Sequence, residues 1–84
     1  MKIIISKLAE RELIRMPSNR RHIIEGKIEQ LASTGVRGDL AANIRPLRGS
    51  DHYQLRIGGD RVIFRLQNDL LIVDHIRPRG SAYR

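Results

Sequence analysis

The sequence contains no cysteine, which excludes disulfides, thiolate metal sites and cysteine nucleophiles. Aromatic residues are scarce as well, at 4%. A core must therefore be built from Ile, Leu and Val. Long apolar runs are missing too. The longest, Ile3-Ile4-Ile5 and Leu70-Leu71-Ile72-Val73, fall far short of the roughly 20 residues that span a bilayer. Strand-like residues begin directly after Met1-Lys2, leaving no room for a signal peptide, so the expected compartment is the cytoplasm, with no membrane partner. His-x-x-x-His, Walker, Gly-x-Ser-x-Gly and EF-hand patterns are absent, and no metal or cofactor is expected.

What is present is a globular composition with a strong charge bias. Hydrophobic residues make up 40% and charged residues 30% of 84 residues, a length that predicts one domain over 1–84. Sixteen basic residues against nine acidic ones leave a net charge of +7, which attracts polyanions. Nucleic acid, an acidic protein or an anionic membrane surface would each answer it. From residue 45 onward the cations are all arginine: Arg45, Arg48, Arg56, Arg61, Arg65, Arg77, Arg79 and Arg84. Arginine presents a planar fork of donors suited to phosphate, whereas lysine is a point charge. An arginine-rich genome would produce the same bias, so position has to decide.

Ile3-Ile4-Ile5 reads as a strand. Ser6 suits an N-cap, followed at helical spacing by Ala9, Leu13 and Met16, and Pro17 ends that helix. Ser18 or Asn19 would cap a second helix carrying Ile24, Ile28 and Leu31, stopped by Gly35. The short break predicts an antiparallel helical hairpin. Residues 35–44 read as a loop with room for one helical turn. Arg45-Pro46-Leu47 reads as an edge strand, and Gly49-Ser50-Asp51 as a turn. From Tyr53 the period changes to two. Tyr53, Leu55 and Ile57, then a Gly58-Gly59-Asp60 turn, then Val62, Phe64 and Leu66 describe a hairpin. After Gln67-Asn68-Asp69, residues 70–76 form a last, largely buried strand. The order β-α-α-β-β-β predicts an α+β fold, with helices on one face of a single sheet.

Alternation then assigns faces. With Tyr53, Leu55, Ile57, Val62, Phe64 and Leu66 towards the helices, the other face carries Gln54, Arg56, Arg61, Ile63 and Arg65. Like charges on paired strands cost stability, and the acids Asp60 and Asp69 sit in the turns. Both a solvated outer face and a phosphate-binding surface are compatible with this pattern, and the crowding of cations favours the second. The tail from Arg77 to Arg84 adds Arg79 and Tyr83, a stacking ring beside guanidinium groups as in single-strand recognition. A frayed terminus is the other reading of Tyr83. Among the histidines, His22 reads as a surface residue. His52 precedes the hairpin, and His75 shares parity with Arg77, which sends it towards the basic face if the strand stays regular.

The run Tyr53-Gln54-Leu55-Arg56-Ile57-Gly58-Gly59-Asp60-Arg61-Val62-Ile63-Phe64-Arg65, followed by Ile76-Arg77-Pro78-Arg79 and Ala82-Tyr83, resembles the RelE/ParE superfamily of toxins from toxin–antitoxin modules. The family hairpin has the form Y-x-L-R-x-G-x-x-R-V-I-Y/F, and Leu47-Arg48-Gly49 is similar to its preceding L-x-G. The resemblance implies a RelE-like toxin that enters the ribosomal A site and cuts messenger RNA. There a ribose 2′-hydroxyl attacks the adjacent phosphorus and leaves a 2′,3′-cyclic phosphate. By position it implies catalytic roles for Arg56, Arg61 and Arg77, and for Tyr83 as the ring that stacks on the base. Arg45, Arg48, Gln54, Arg65 and Arg79 would be RNA- or phosphate-binding, and His75 or His52 would be available for proton transfer. The messenger-RNA-cutting branch has a lysine just after the strand tyrosine, where this chain has Gln54, and an amide is no general base. The implied partners are a cognate antitoxin, the ribosome and messenger RNA. The ParE-like branch, which binds DNA gyrase without chemistry, and an inactive toxin that only binds its antitoxin are the other open readings.

Overall fold

The computed structural model describes residues 1–78. Five strands and two helices follow in the order β1 (Lys2–Ile5), α1 (Lys7–Ile14), α2 (Ser18–Thr34), β2 (Ile44–Pro46), β3 (His52–Ile57), β4 (Asp60–Gln67) and β5 (Leu70–Arg77). A short 3-10 turn, Ala41–Asn43, leads into β2, filling the helical turn expected within residues 35–44. The strands form one sheet in the order β1-β5-β4-β3-β2. β1 runs parallel to β5, and the other neighbours are antiparallel. This is the α+β architecture expected from the pattern.

Ser6 caps α1 as its sequence position suggests: its hydroxyl accepts from the Ala9 N–H at 3.0 Å. The second cap differs from expectation. Ser18 is already helical, and Pro17 occupies the cap position without a side-chain hydrogen bond. Its fixed φ prepares the helical entry, and its carbonyl accepts from Arg21 N–H at 3.0 Å. α1 stops at Ile14, so Met16 leaves the helix yet is still buried in the core. Gly35 ends α2 at φ +74, a conformation that side chains with a Cβ rarely adopt. β2 starts one residue earlier than the Arg45-Pro46-Leu47 stretch, and Pro46 sits on an edge strand, where its missing N–H is tolerated.

The core lies between the helices and one face of the sheet. Ala9, Leu13, Ile24, Ile28 and Leu31 from the helices meet Leu55, Val62, Phe64, Leu71, Val73 and Ile76 from the strands. Phe64 stacks on Tyr53, its direct partner on β3, with ring centroids 5.4 Å apart. Asp60, expected in the Gly58-Gly59-Asp60 turn, is buried at the start of β4, where Arg20 of α2 grips it through Nε and one terminal nitrogen. That hydrogen bond, against the opposing effect of burial, raises the Arg20 pKa above its ordinary value. No helix among the described residues is long and apolar enough to cross a membrane.

Candidate nucleic-acid interface

The sheet face away from the helices carries the arginines in register. Arg56 of β3 pairs with Arg61 of β4, and Arg61 pairs in turn with Arg77 of β5. Directly paired residues point to the same face, with Cα atoms about 5 Å apart. Three guanidinium groups from three strands thus form one row beside the Gly58-Gly59 turn. Arg56 and Arg77 are exposed, and Arg61 between them is half-buried.

The next row holds Arg45 of β2, Gln54, Ile63 and His75. Ile63 lies on this face between the polar side chains and is buried there. Among the described residues nothing hydrogen-bonds the half-buried His75 ring. At the β2 edge, a cleft of about 380 Å³ is lined by Ala42, Asn43, Ile44, Arg45, Gln54 and Arg56. Its two amides and two guanidinium groups bring Asn43 to the site, a residue that no sequence signal singled out.

The third row is neutralised from within. Arg65 pairs with His52 across the hairpin, and both converge on the Asp74 carboxylate of β5. Arg65 Nε donates to Asp74 Oδ2 at 3.0 Å, and His52 Nε2 lies 2.7 Å from the same oxygen. The other ring nitrogen of His52 faces Asp51 at 3.2 Å. Arg65 also donates to Gln67 Oε1 at 3.3 Å. The expectation that acids on this part of the chain stay in turns is therefore corrected by Asp74. It was obscured because a lone acid within an apolar strand gives no sign of its side.

The alternation of β5 is corrected as well. Phe64 pairs with Val73 but Ile63 pairs with His75, so Asp74 is an extra residue, a β-bulge. A regular strand with Val73 in the core would send His75 and Arg77 into the core also. The bulge reverses the faces, burying Ile76 and presenting His75 and Arg77 beside Arg61. His75 thus reaches the basic face because the strand is irregular.

Of the residues anticipated from sequence, the fold brings together Arg45, Gln54, Arg56, Arg61, His75 and Arg77. It sets Arg65 and His52 at the opposite end of the strands, and Arg48 in the exposed turn beyond them. Arg79 and Tyr83 lie outside the described residues. Among the described residues, no three His, Asp or Glu side chains gather as a metal-binding group.

Chemically, the row can neutralise a phosphate that gains charge, with an imidazole one row away. No family model matches the chain. It is 26% identical to Toxin RelE3 of Methanocaldococcus jannaschii, over 99% of this chain and 96% of that protein. Its fold is similar to that in the archaeal RelE–RelB complex from Pyrococcus horikoshii, with a TM-score of 0.78, 22% identity, and 95% and 96% of the two chains covered. It is also similar to the YoeB/ParE toxin from Agrobacterium tumefaciens, with a TM-score of 0.76, 18% identity, and 95% and 100% covered. The chain thus shares the fold of RelE- and YoeB/ParE-type toxins and is similar along nearly its whole length to a RelE toxin.

Proposed function

We propose that the chain is a RelE-like endoribonuclease that cuts messenger RNA on the ribosome, held in check by a RelB-like antitoxin. The observation that carries this reading is the Arg56–Arg61–Arg77 row. In the reaction a ribose 2′-hydroxyl attacks the adjacent phosphorus, and the 5′-oxygen of the next nucleotide leaves. A 2′,3′-cyclic phosphate and a free 5′-hydroxyl result. The phosphorane between them carries an extra negative charge, which preorganised guanidinium groups stabilise more than they stabilise the diester.

The proton of the 2′-hydroxyl needs an acceptor. Arginine stays protonated at any ordinary pH, and Gln54 is an amide. His52 has both ring nitrogens turned to carboxylates. His75, one row from the arginines, is therefore assigned as the proton-transfer group. Arg45, Gln54 and Asn43 line the neighbouring cleft, where they are suited to hold flanking nucleotides. Tyr83 and Arg79 are assigned to base stacking and phosphate contact by their likeness to the family pattern. The antitoxin partner is supported by relatives that were solved as RelE–RelB complexes.

Gln54 in place of a lysine favours a second reading, a ParE-like inhibitor of DNA gyrase. Inducing the chain in cells and mapping messenger-RNA ends separates the two. New ends inside coding regions, absent from Arg61→Ala and Arg77→Ala variants that still fold, are the expected result. Intact transcripts alongside DNA breaks would establish the gyrase reading instead, and intact transcripts without toxicity would mark a toxin that only binds its antitoxin. If both variants stay fully toxic, the row is not the site.

A further inference from the structure

β1 ends at Ile5, and Ser6 N–H closes its pairing by donating to Val73 C=O at 2.9 Å. β5 continues to Arg77, and among the described residues no strand lies beside its outer edge there. Side chains at the cap and on the body of α1 take over the ladder there. Ser6 Oγ donates to Asp74 C=O at 2.8 Å, and Glu12 Oε1 accepts from Ile76 N–H, also at 2.8 Å. The two hydrogen bonds bracket His75 and enclose the bulge.

We propose that Glu12 is a positioning residue: its carboxylate, by holding the Ile76 N–H, fixes the bulge that delivers His75 and Arg77 to the arginine-bearing face. Ile76 is fully buried, so water is a poor substitute acceptor for its N–H. A shift of one residue in a strand exchanges its two faces. Without the clamp, the Ser6 hydrogen bond to Asp74 C=O is left to hold one side of the bulge alone, and its relaxation would turn Arg77 away from Arg61 and His75 away from Ile63. A carboxylate on a helix, remote from the basic row in sequence, thereby controls which groups of β5 reach that row. The consequence for chemistry rests on the RNA-cleaving reading, whereas the geometric claim does not.

Three full-length variants test this: Glu12→Gln keeps the acceptor oxygen, Glu12→Asp withdraws it by one methylene, and Glu12→Ala removes it. Amide exchange and cross-strand NMR signals read the bulge directly. In Glu12→Ala, Ile76 N–H should exchange about tenfold faster or more, and the Arg61–Arg77 pairing should weaken, while Glu12→Gln stays like the parent. If Glu12→Ala does not fold, Glu12→Asp carries the same reading with the charge retained. On ribosome-bound messenger RNA, kcat should fall about tenfold or more with KM little changed in the variants that release the Ile76 N–H, and recover in Glu12→Gln. An unaltered Ile76 exchange rate and intact Arg61–Arg77 pairing in a folded Glu12→Ala would overturn the proposal. So would a Glu12→Gln variant as impaired as Glu12→Ala. Should the parent cut no RNA while Glu12→Ala still loosens the pairing, the nuclease reading fails and the clamp stands.

Discussion

Arg20 of α2 and Asp60 of β4 form a bidentate ion pair, with Arg20 Nε donating to Asp60 Oδ2 at 3.2 Å and the terminal nitrogen reaching Oδ1. It ties the second helix to the turn that begins β4, one residue from Arg61. The pair is unequal in exposure, the Asp60 side chain being 5% exposed and that of Arg20 26%. Removing Arg20 takes a bidentate partner from a buried carboxylate, whereas removing Asp60 releases a guanidinium that water already reaches. Arg20→Ala should therefore cost more than Asp60→Asn. About 2–3 kcal/mol is expected for Arg20→Ala, below the full range for a completely buried pair because Arg20 is partly solvated. Urea unfolding of the two variants measures the order.

Two glycines should respond in opposite directions. Gly26 lies in α2 with nothing within 4 Å of where a Cβ would stand. Gly26→Ala should stabilise by about 0.5–1 kcal/mol through helix propensity. At Gly38 a Cβ would come 2.4 Å from Thr34 Cβ and 3.0 Å from its carbonyl oxygen. Gly38→Ala should destabilise by about 1–3 kcal/mol, because backbone must move to admit it. Thermal melts of both variants under one condition decide the pair of signs.

Phe64 is fully buried, and its ring lies stacked on Tyr53. Truncation would leave a cavity beneath the Tyr53 ring. Phe64→Ala should cost about 3–5 kcal/mol, a large share of the roughly 5–15 kcal/mol available to a small domain. Circular dichroism against denaturant should show a much earlier midpoint, or a chain largely unfolded without denaturant.

The arginine row predicts a particular salt dependence. Arg56→Ala and Arg77→Ala should each weaken binding of a short single-stranded RNA. Each should also lower the slope of log K against log salt by about 0.7 for every phosphate that is no longer neutralised. Since both side chains are exposed and sit beside like charges, stability should change by no more than about 0.5 kcal/mol. Fluorescence anisotropy over a salt series, with unfolding curves of the same samples, tests both halves. Unchanged slopes would remove these residues from the interface.

Much of this molecule is written in local pattern. The two-residue period around Gly58-Gly59 pairs Arg56 with Arg61 and sets both opposite Leu55 and Val62, because a tight turn leaves the register of a hairpin no freedom. Ser6 and Gly35 bound their helices through chemistry that reaches only a few residues along the chain. The burial of Asp60, the neutralisation of Arg65 and His52 by Asp74, and the bulge that turns His75 and Arg77 to the basic face depend on interactions between residues distant in sequence. Alternation read from either neighbour of Asp74 is locally valid, and the change from one phase to the other is accompanied by hydrogen bonds from Ser6, Glu12, His52 and Arg65, all distant in sequence or on other elements. The chain alone thus determined that a small arginine-rich sheet would carry its charge on one face. Which of those charges stand together, and which are spent on holding the fold, was decided by tertiary contacts: Arg20 of α2 on Asp60, Arg65 and His52 on Asp74, and the bulge in β5.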